Sequence, residues 1–166
     1  MKKKALILSA CFLILLLAGT AWGATDTKYL TINAQVDAVA ILTLGEPIIN
    51  FPATTPPTQF SATENPVSVQ CQVLIDASAA TLTVICDGNL ISGGNNIPIT
   101  NVTWTATNIT GTGYVGGTMS STAAQTAGTW ADSGDYQGTF SFFLANSWAY
   151  ATGSYTAIAT YTLTAP

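Results

Sequence analysis

Histidine and arginine are absent from this 166-residue chain, and three of its four lysines are Lys2, Lys3 and Lys4. Beyond them the sole basic side chain is Lys28, against eight carboxylates at Asp26, Asp37, Glu46, Glu64, Asp76, Asp87, Asp132 and Asp135. Without residues 1–23 the chain keeps one positive and eight negative charges, a formal charge of −7. Each absence excludes chemistry. Serine and threonine nucleophiles need a neighbouring base, and Lys28 stands alone near the N-terminus, so the reading is non-enzymatic. Backbone phosphates are held by Lys and Arg, so nucleic acid is excluded as a partner. No cofactor motif occurs. Charged residues make up 7% of the chain, far below the roughly one quarter usual in soluble domains.

What is present begins with an export pattern. Lys2–Lys4 form a positive head, residues 5–18 an apolar run, and Ala21 and Gly23 the small-x-small site of a cleaved signal peptide. The run reaches residue 21 at most, the lower limit for a membrane span, so an uncleaved anchor is the competing reading. Leu8-Ser9-Ala10-Cys11 also has the form of a lipoprotein box. The expected organisation is a signal peptide over 1–23 and a single domain over 24–166, exported to the periplasm, cell surface or medium. Contact with a membrane is expected only through the signal before cleavage.

Helical periodicity is missing from residues 24–166. Runs of Val, Ile, Thr, Tyr and Phe alternate with Gly, Pro and Asn, which is strand chemistry. Leu30, Ile32, Ala34, Val36, Ala38, Ala40, Leu42 and Leu44 share one face of a period-two pattern, predicting one long strand or two joined by a bend near Val39. Further strands are expected over 47–51, 67–75, 81–86, 97–108, 136–144 and from Gly153 onward, with weaker candidates over 111–120 and 126–131. The total predicts an all-β fold, an Ig-like antiparallel β-sandwich of about seven to nine strands.

Four groups of residues invite a functional reading. Cys71 and Cys86 lie in runs separated by 76–80, and a hairpin there would set them face to face as a disulfide suited to an oxidising compartment. Asp132 and Asp135, in Trp130-Ala131-Asp132-Ser133-Gly134-Asp135-Tyr136, read as a turn, with a calcium loop as the metal-binding alternative. Trp104, Trp130 and Trp148 could form a glycan-stacking platform, with Trp130 and Trp148 as the candidate contacts, against the plainer role of filling core and rim. Leu30, Ile32, Ala34 and Val36 have the pattern of a donor strand that completes another subunit's sheet, against that of an ordinary first strand.

Residues 153–166 (Gly-Ser-Tyr-Thr-Ala-Ile-Ala-Thr-Tyr-Thr-Leu-Thr-Ala-Pro) resemble the closing strand of bacterial surface β-sandwich domains. The end is similar to that of WxL domains, with Tyr161-Thr162-Leu163 in place of Trp-x-Leu. Residues 31–44, the short run 48–51 and Gly153 at the start of the last strand also resemble exported pilin and spore-coat-U-type subunits. The resemblance implies a structural or adhesive protein, a fimbrial-type subunit, whose partners are other protein subunits or copies of itself. The alternative is a glycan- or wall-binding module.

Overall fold

A computed structural model describes residues 26–166. The predicted signal, its cleavage site and Cys11 lie outside the described residues. The chain divides into two compact units at Gln35/Val36. In the first, residues 26–35 form no strand, and an exposed ion pair joins Lys28 Nζ to Asp26 Oδ1 at 2.9 Å.

The second unit is all-β, and its order is β1 (Val39–Leu44), β2 (Gln59–Ser61), β3 (Val67–Leu74), β4 (Ala80–Cys86), β5 (Leu90–Ser92) and β6 (Asn95–Ile97). A 3-10 turn at Ile99–Asn101 leads into β7 (Val102–Thr110), β8 (Gly117–Thr118), β9 (Gln125–Trp130), β10 (Gly134–Ala145) and β11 (Ala159–Thr164). One antiparallel sheet has the order β1-β3-β10-β7-β8, with β2 on the end of β10 beyond β3. The second runs β11-β4-β9, and β5 and β6 form a small hairpin. The described residues thus form eleven strands. The excess over the expected number comes from β2, β5, β6 and β8, each only two or three residues long.

The sandwich follows from alternation. Val67, Val69, Cys71 and Val73 turn inward from β3, Ala80, Leu82, Val84 and Cys86 from β4, and Phe140, Phe142 and Leu144 from β10. Full burial of each larger side chain contributes about 1.5–3 kcal/mol. Phe140, fully buried, meets Tyr114 and Phe142 edge-on and Tyr161 in a stack. The far side of the sandwich is closed by residues 113–115, which bond to β9 through Val115 N–H to Ala127 O and Thr129 N–H to Gly113 O, before β8 joins β7.

The expected Cys71–Cys86 hairpin does not form. β3 belongs to one sheet and β4 to the other, so the chain crosses between layers at 75–79. Each strand has one apolar face, and face-to-face packing satisfies that pattern as well as edge pairing does. Cys71 stands opposite Tyr136, whose ring stacks on Trp130, the partner of Ala80. Cys86 lies at the far end of β4 from Ala80, about 20 Å along a strand, whereas a disulfide needs Cα atoms within about 7 Å. Both thiols are free and buried.

Two other expected strands are also absent. Residues 29–38 and 47–51 form no strand, and β1 begins at the expected bend, Val39. Residues near Asn50 are instead tied to the end of β2: Thr63 N–H donates to Asn50 O at 2.9 Å. Glu64 accepts from the Asn50 N–H and side-chain amide, both at 2.7 Å.

Candidate functional site: an apolar cleft at the open seam

The two sheets border each other along β1 and β11. β1 stops at Leu44, and beyond it the seam opens into a cleft of about 1060 Å³. Phe140, Phe142 and Leu144 of β10 line it together with Val102. Ile48, Phe51 and Phe60 contribute from the first sheet's side, Tyr155, Ala157 and Tyr161 from the second's. Among its lining residues only Glu46 carries a formal charge. The volume lies at or above the usual range of small-molecule sites, about 300–1,000 Å³.

Strand geometry gives this cleft a polar rim. Asp87 N–H donates to Ile158 O at 2.9 Å, in register with the Ala159–Cys86 pair of β11 and β4. Bonded and non-bonded pairs alternate along an antiparallel ladder. Thr160, Thr162 and Thr164 therefore bond to β4, while the N–H and C=O of Ala159, Tyr161 and Leu163 face the outer edge of the sheet. Thr156 is held from the same side by reciprocal bonds with Ile91.

Two details polarise the interior. The Tyr161 hydroxyl is buried without a hydrogen-bond partner, and burial holds its pKa above the ordinary phenol value. Such an orphan costs about 1–3 kcal/mol. Cys86 also lines the cleft, its thiol pushed up by burial and then by the neighbouring Asp87 carboxylate.

The residues singled out from sequence are spread over the molecule. Asp132 and Asp135 flank the turn between β9 and β10, where Tyr136 Oη donates to Asp132 O and Ile75 N–H donates to Ser133 Oγ. The Asp135 carboxylate accepts from the amides of Gln70 and Gln72 on the sheet face. Among the described residues no three His, Cys, Asp or Glu side chains gather as a metal site would need. The segment bends between β9 and β10 without the positive φ at Gly134 that a glycine turn would use.

Trp130 is 3% exposed, edge-on to Tyr114 and stacked on Tyr136, so it offers no face to a glycan. Trp104 is buried as well, donating to Val115 O at 2.8 Å. Trp148 is 72% exposed and lines the cleft. Leu30, Ile32 and Val36 are 85%, 83% and 76% exposed, and Ala34 is exposed too.

Sequence reading missed the cleft itself, because its walls come from irregular segments, 46–54 and 146–158. The available signal was a cluster of large apolar residues in them (Ile48, Phe51, Trp148, Tyr150 and Tyr155) without a regular period. Compared with protein-family models, curated proteins and solved structures, the chain matches none.

Proposed function

We propose that this protein is a non-enzymatic exported structural subunit, of fimbrial or cell-surface type, that assembles with copies of itself or with related subunits. The observation that carries the reading is the open seam, where an apolar cleft adjoins the outward backbone groups of β11. Natural sheets guard such edges with lysines and other charges. Here β11 has no charged residue, and β1, the edge strand of the other sheet, exposes Val39, Ile41 and Leu44. An edge left so unguarded is suited to being covered by protein. All eleven strands lie within 39–164, so a chain of residues 24–166 keeps the core whole. Sedimentation of that chain over a wide concentration range tests the reading. Defined oligomers or fibres are expected, and a strict monomer at every concentration refutes it.

A glycan- or wall-binding module is the second reading, and its support is Trp148, an exposed aromatic at the mouth of an apolar cleft. Glycan-array binding that disappears in Trp148→Ala would favour it over assembly.

A further inference from the structure

We propose that the outer face of the first sheet is a binding surface of its own, which takes an uncharged, linear glycan along β7 and β10. It does not rest on the assembly reading, and it lies on the opposite side of β10 from the cleft. Phe140, Phe142 and Leu144 line the cleft, so the alternating residues Thr139, Ser141 and Phe143 point outward. Thr103, Thr105 and Thr107 of β7 share that side. The register sets Thr107 opposite Thr139, Thr105 opposite Ser141 and Thr103 opposite Phe143. Two rows result, about 4.8 Å apart across the strands and with residues about 6.8 Å apart along them. From Thr103 to Thr107 is about 14 Å of strand, a length suited to a chain of sugars.

Three observations set these rows apart from an ordinary solvated face. The hydroxyls of Thr103, Thr105, Thr107, Thr139 and Ser141 have no hydrogen-bond partner among the described residues. The other end of the same face bonds to itself: Gln70 and Gln72 donate to the Asp135 carboxylate, and the Thr110 hydroxyl donates to Asp135 O and accepts the Gln137 N–H.

The ladder is also interrupted here. β3 reaches only Phe140 and β2 starts at Phe143, which leaves Ser141 without a strand neighbour on that side. The gap is an open depression in which Ser61 and Pro66 join Thr107, Thr139, Ser141 and Phe143.

Finally, the face is neutral. β1, β2, β3, β7 and β8 contain no charged residue, and β10 contains only Asp135. An anionic chain calls for a cation, and Lys28, the sole one beyond Lys4, belongs to the other unit. Hydroxyls donate and accept in either direction, as a sugar's own hydroxyls do. The half-buried Phe143 ring adds an apolar surface for a sugar's C–H face. A lipid would leave the hydroxyls unpaired, whereas an uncharged glycan uses both hydroxyls and ring.

NMR titration of residues 24–166 with cellohexaose, N-acetylchitohexaose and mannohexaose tests the assignment. At least one should bind with a dissociation constant below about 1 mM and shift amides at 103–107 and 139–143. Oligogalacturonate, an anionic chain, should bind about tenfold more weakly or worse. Thr107→Val suits an exposed strand position and removes one hydroxyl, so it should weaken binding about tenfold. Phe143→Ala should weaken it further, and if that variant fails to fold, Thr107→Val decides alone.

Silence from all three neutral sugars would overturn the glycan face, as would equal binding of oligogalacturonate or parental affinity in Thr107→Val. Shifts confined to 46–54 and 146–158 would move the sugar to the cleft and overturn the proposed place. If Thr107→Val altered sedimentation without sugar, the rows would be covered by a second copy and the proposed occupant would be wrong. A strict monomer that still binds sugar at 103–107 would refute assembly and leave this face standing.

Discussion

The side-chain amide of Asn65 bonds both backbone groups of Phe142, donating from Nδ2 to the carbonyl at 2.7 Å and accepting the N–H on Oδ1 at 2.9 Å. β3 has ended and β2 has yet to begin on that side of β10, so a side chain stands in for the missing ladder partner. The substitute holds Phe142, part of the cleft floor, in line. Ala62 N–H also donates to the Phe142 carbonyl, so the N–H is the group that depends wholly on Asn65. Asn65→Leu should therefore destabilise the domain by about 1–3 kcal/mol, the cost of a buried unpaired donor. Urea unfolding should show a lower midpoint with an unchanged slope.

The separation of Cys71 from Cys86 makes a second expectation. Both thiols are buried and burial raises both pKa values, so neither is a ready thiolate at neutral pH. Residues 24–166 should show two thiols to a maleimide reagent after denaturation and react slowly before it. A reductant should leave the melting temperature unchanged. Rapid labelling of the folded chain, or a melting point that falls on reduction, would contradict this arrangement.

These two cases mark what could be read from sequence. Strand positions were legible where a run was long and alternated cleanly, as in 67–75, 81–86 and 136–144, whereas the last run, expected from Gly153, forms a strand only over Ala159–Thr164. The inward set Phe140, Phe142 and Leu144 follows from period two alone. Layer assignment was not legible, because an apolar face on β3 and another on β4 fit a hairpin and a sandwich crossing equally well. The length of the first strand was overestimated for a related reason. Alternation shows that one side of an extended run is apolar and does not show that the run is paired, and residues 29–38 are exposed and form no strand. Strands of three residues, such as β2, are set by neighbours distant in sequence and leave too short a pattern to detect.

Gly113 supports a third expectation. Its φ is +136°, in the region that side-chain-bearing residues rarely adopt. A Cβ there would lie 2.4 Å from Trp130 Nε1 and 2.6 Å from the Thr129 carbonyl, the acceptor being backbone that cannot swing aside. Residues 113–115 close the far side of the sandwich, so the strain would fall on that seal. Gly113→Ala should cost at least about 1–3 kcal/mol. Gly88→Ala is the control, since a Cβ there meets nothing within 4 Å. Thermal melts of the two should differ clearly, with Gly88→Ala near the unaltered chain.

Acid should loosen the 46–54 wall of the cleft before it unfolds the core. Glu64 clasps this segment through Asn50, and the Asn50 side-chain amide, then its backbone N–H, hold the carboxyl at about 2 instead of 4.5. A group depressed on folding adds stability that is complete above its unfolded value. That contribution is lost as pH falls from about 4.5 towards about 2. Glu64→Gln keeps one acceptor and removes the charge, so the variant should be weaker than the parent at pH 7 and lose less on acidification. The two stability curves should converge below pH 4.5. Amide exchange at Asn50 reads the clasp directly: in the parent its protection relative to the intrinsic rate at each pH should fall across that window, while Phe140 and Leu82 stay protected. Protection of Asn50 that is flat from pH 7 to 2 would show that Glu64 does not hold this wall.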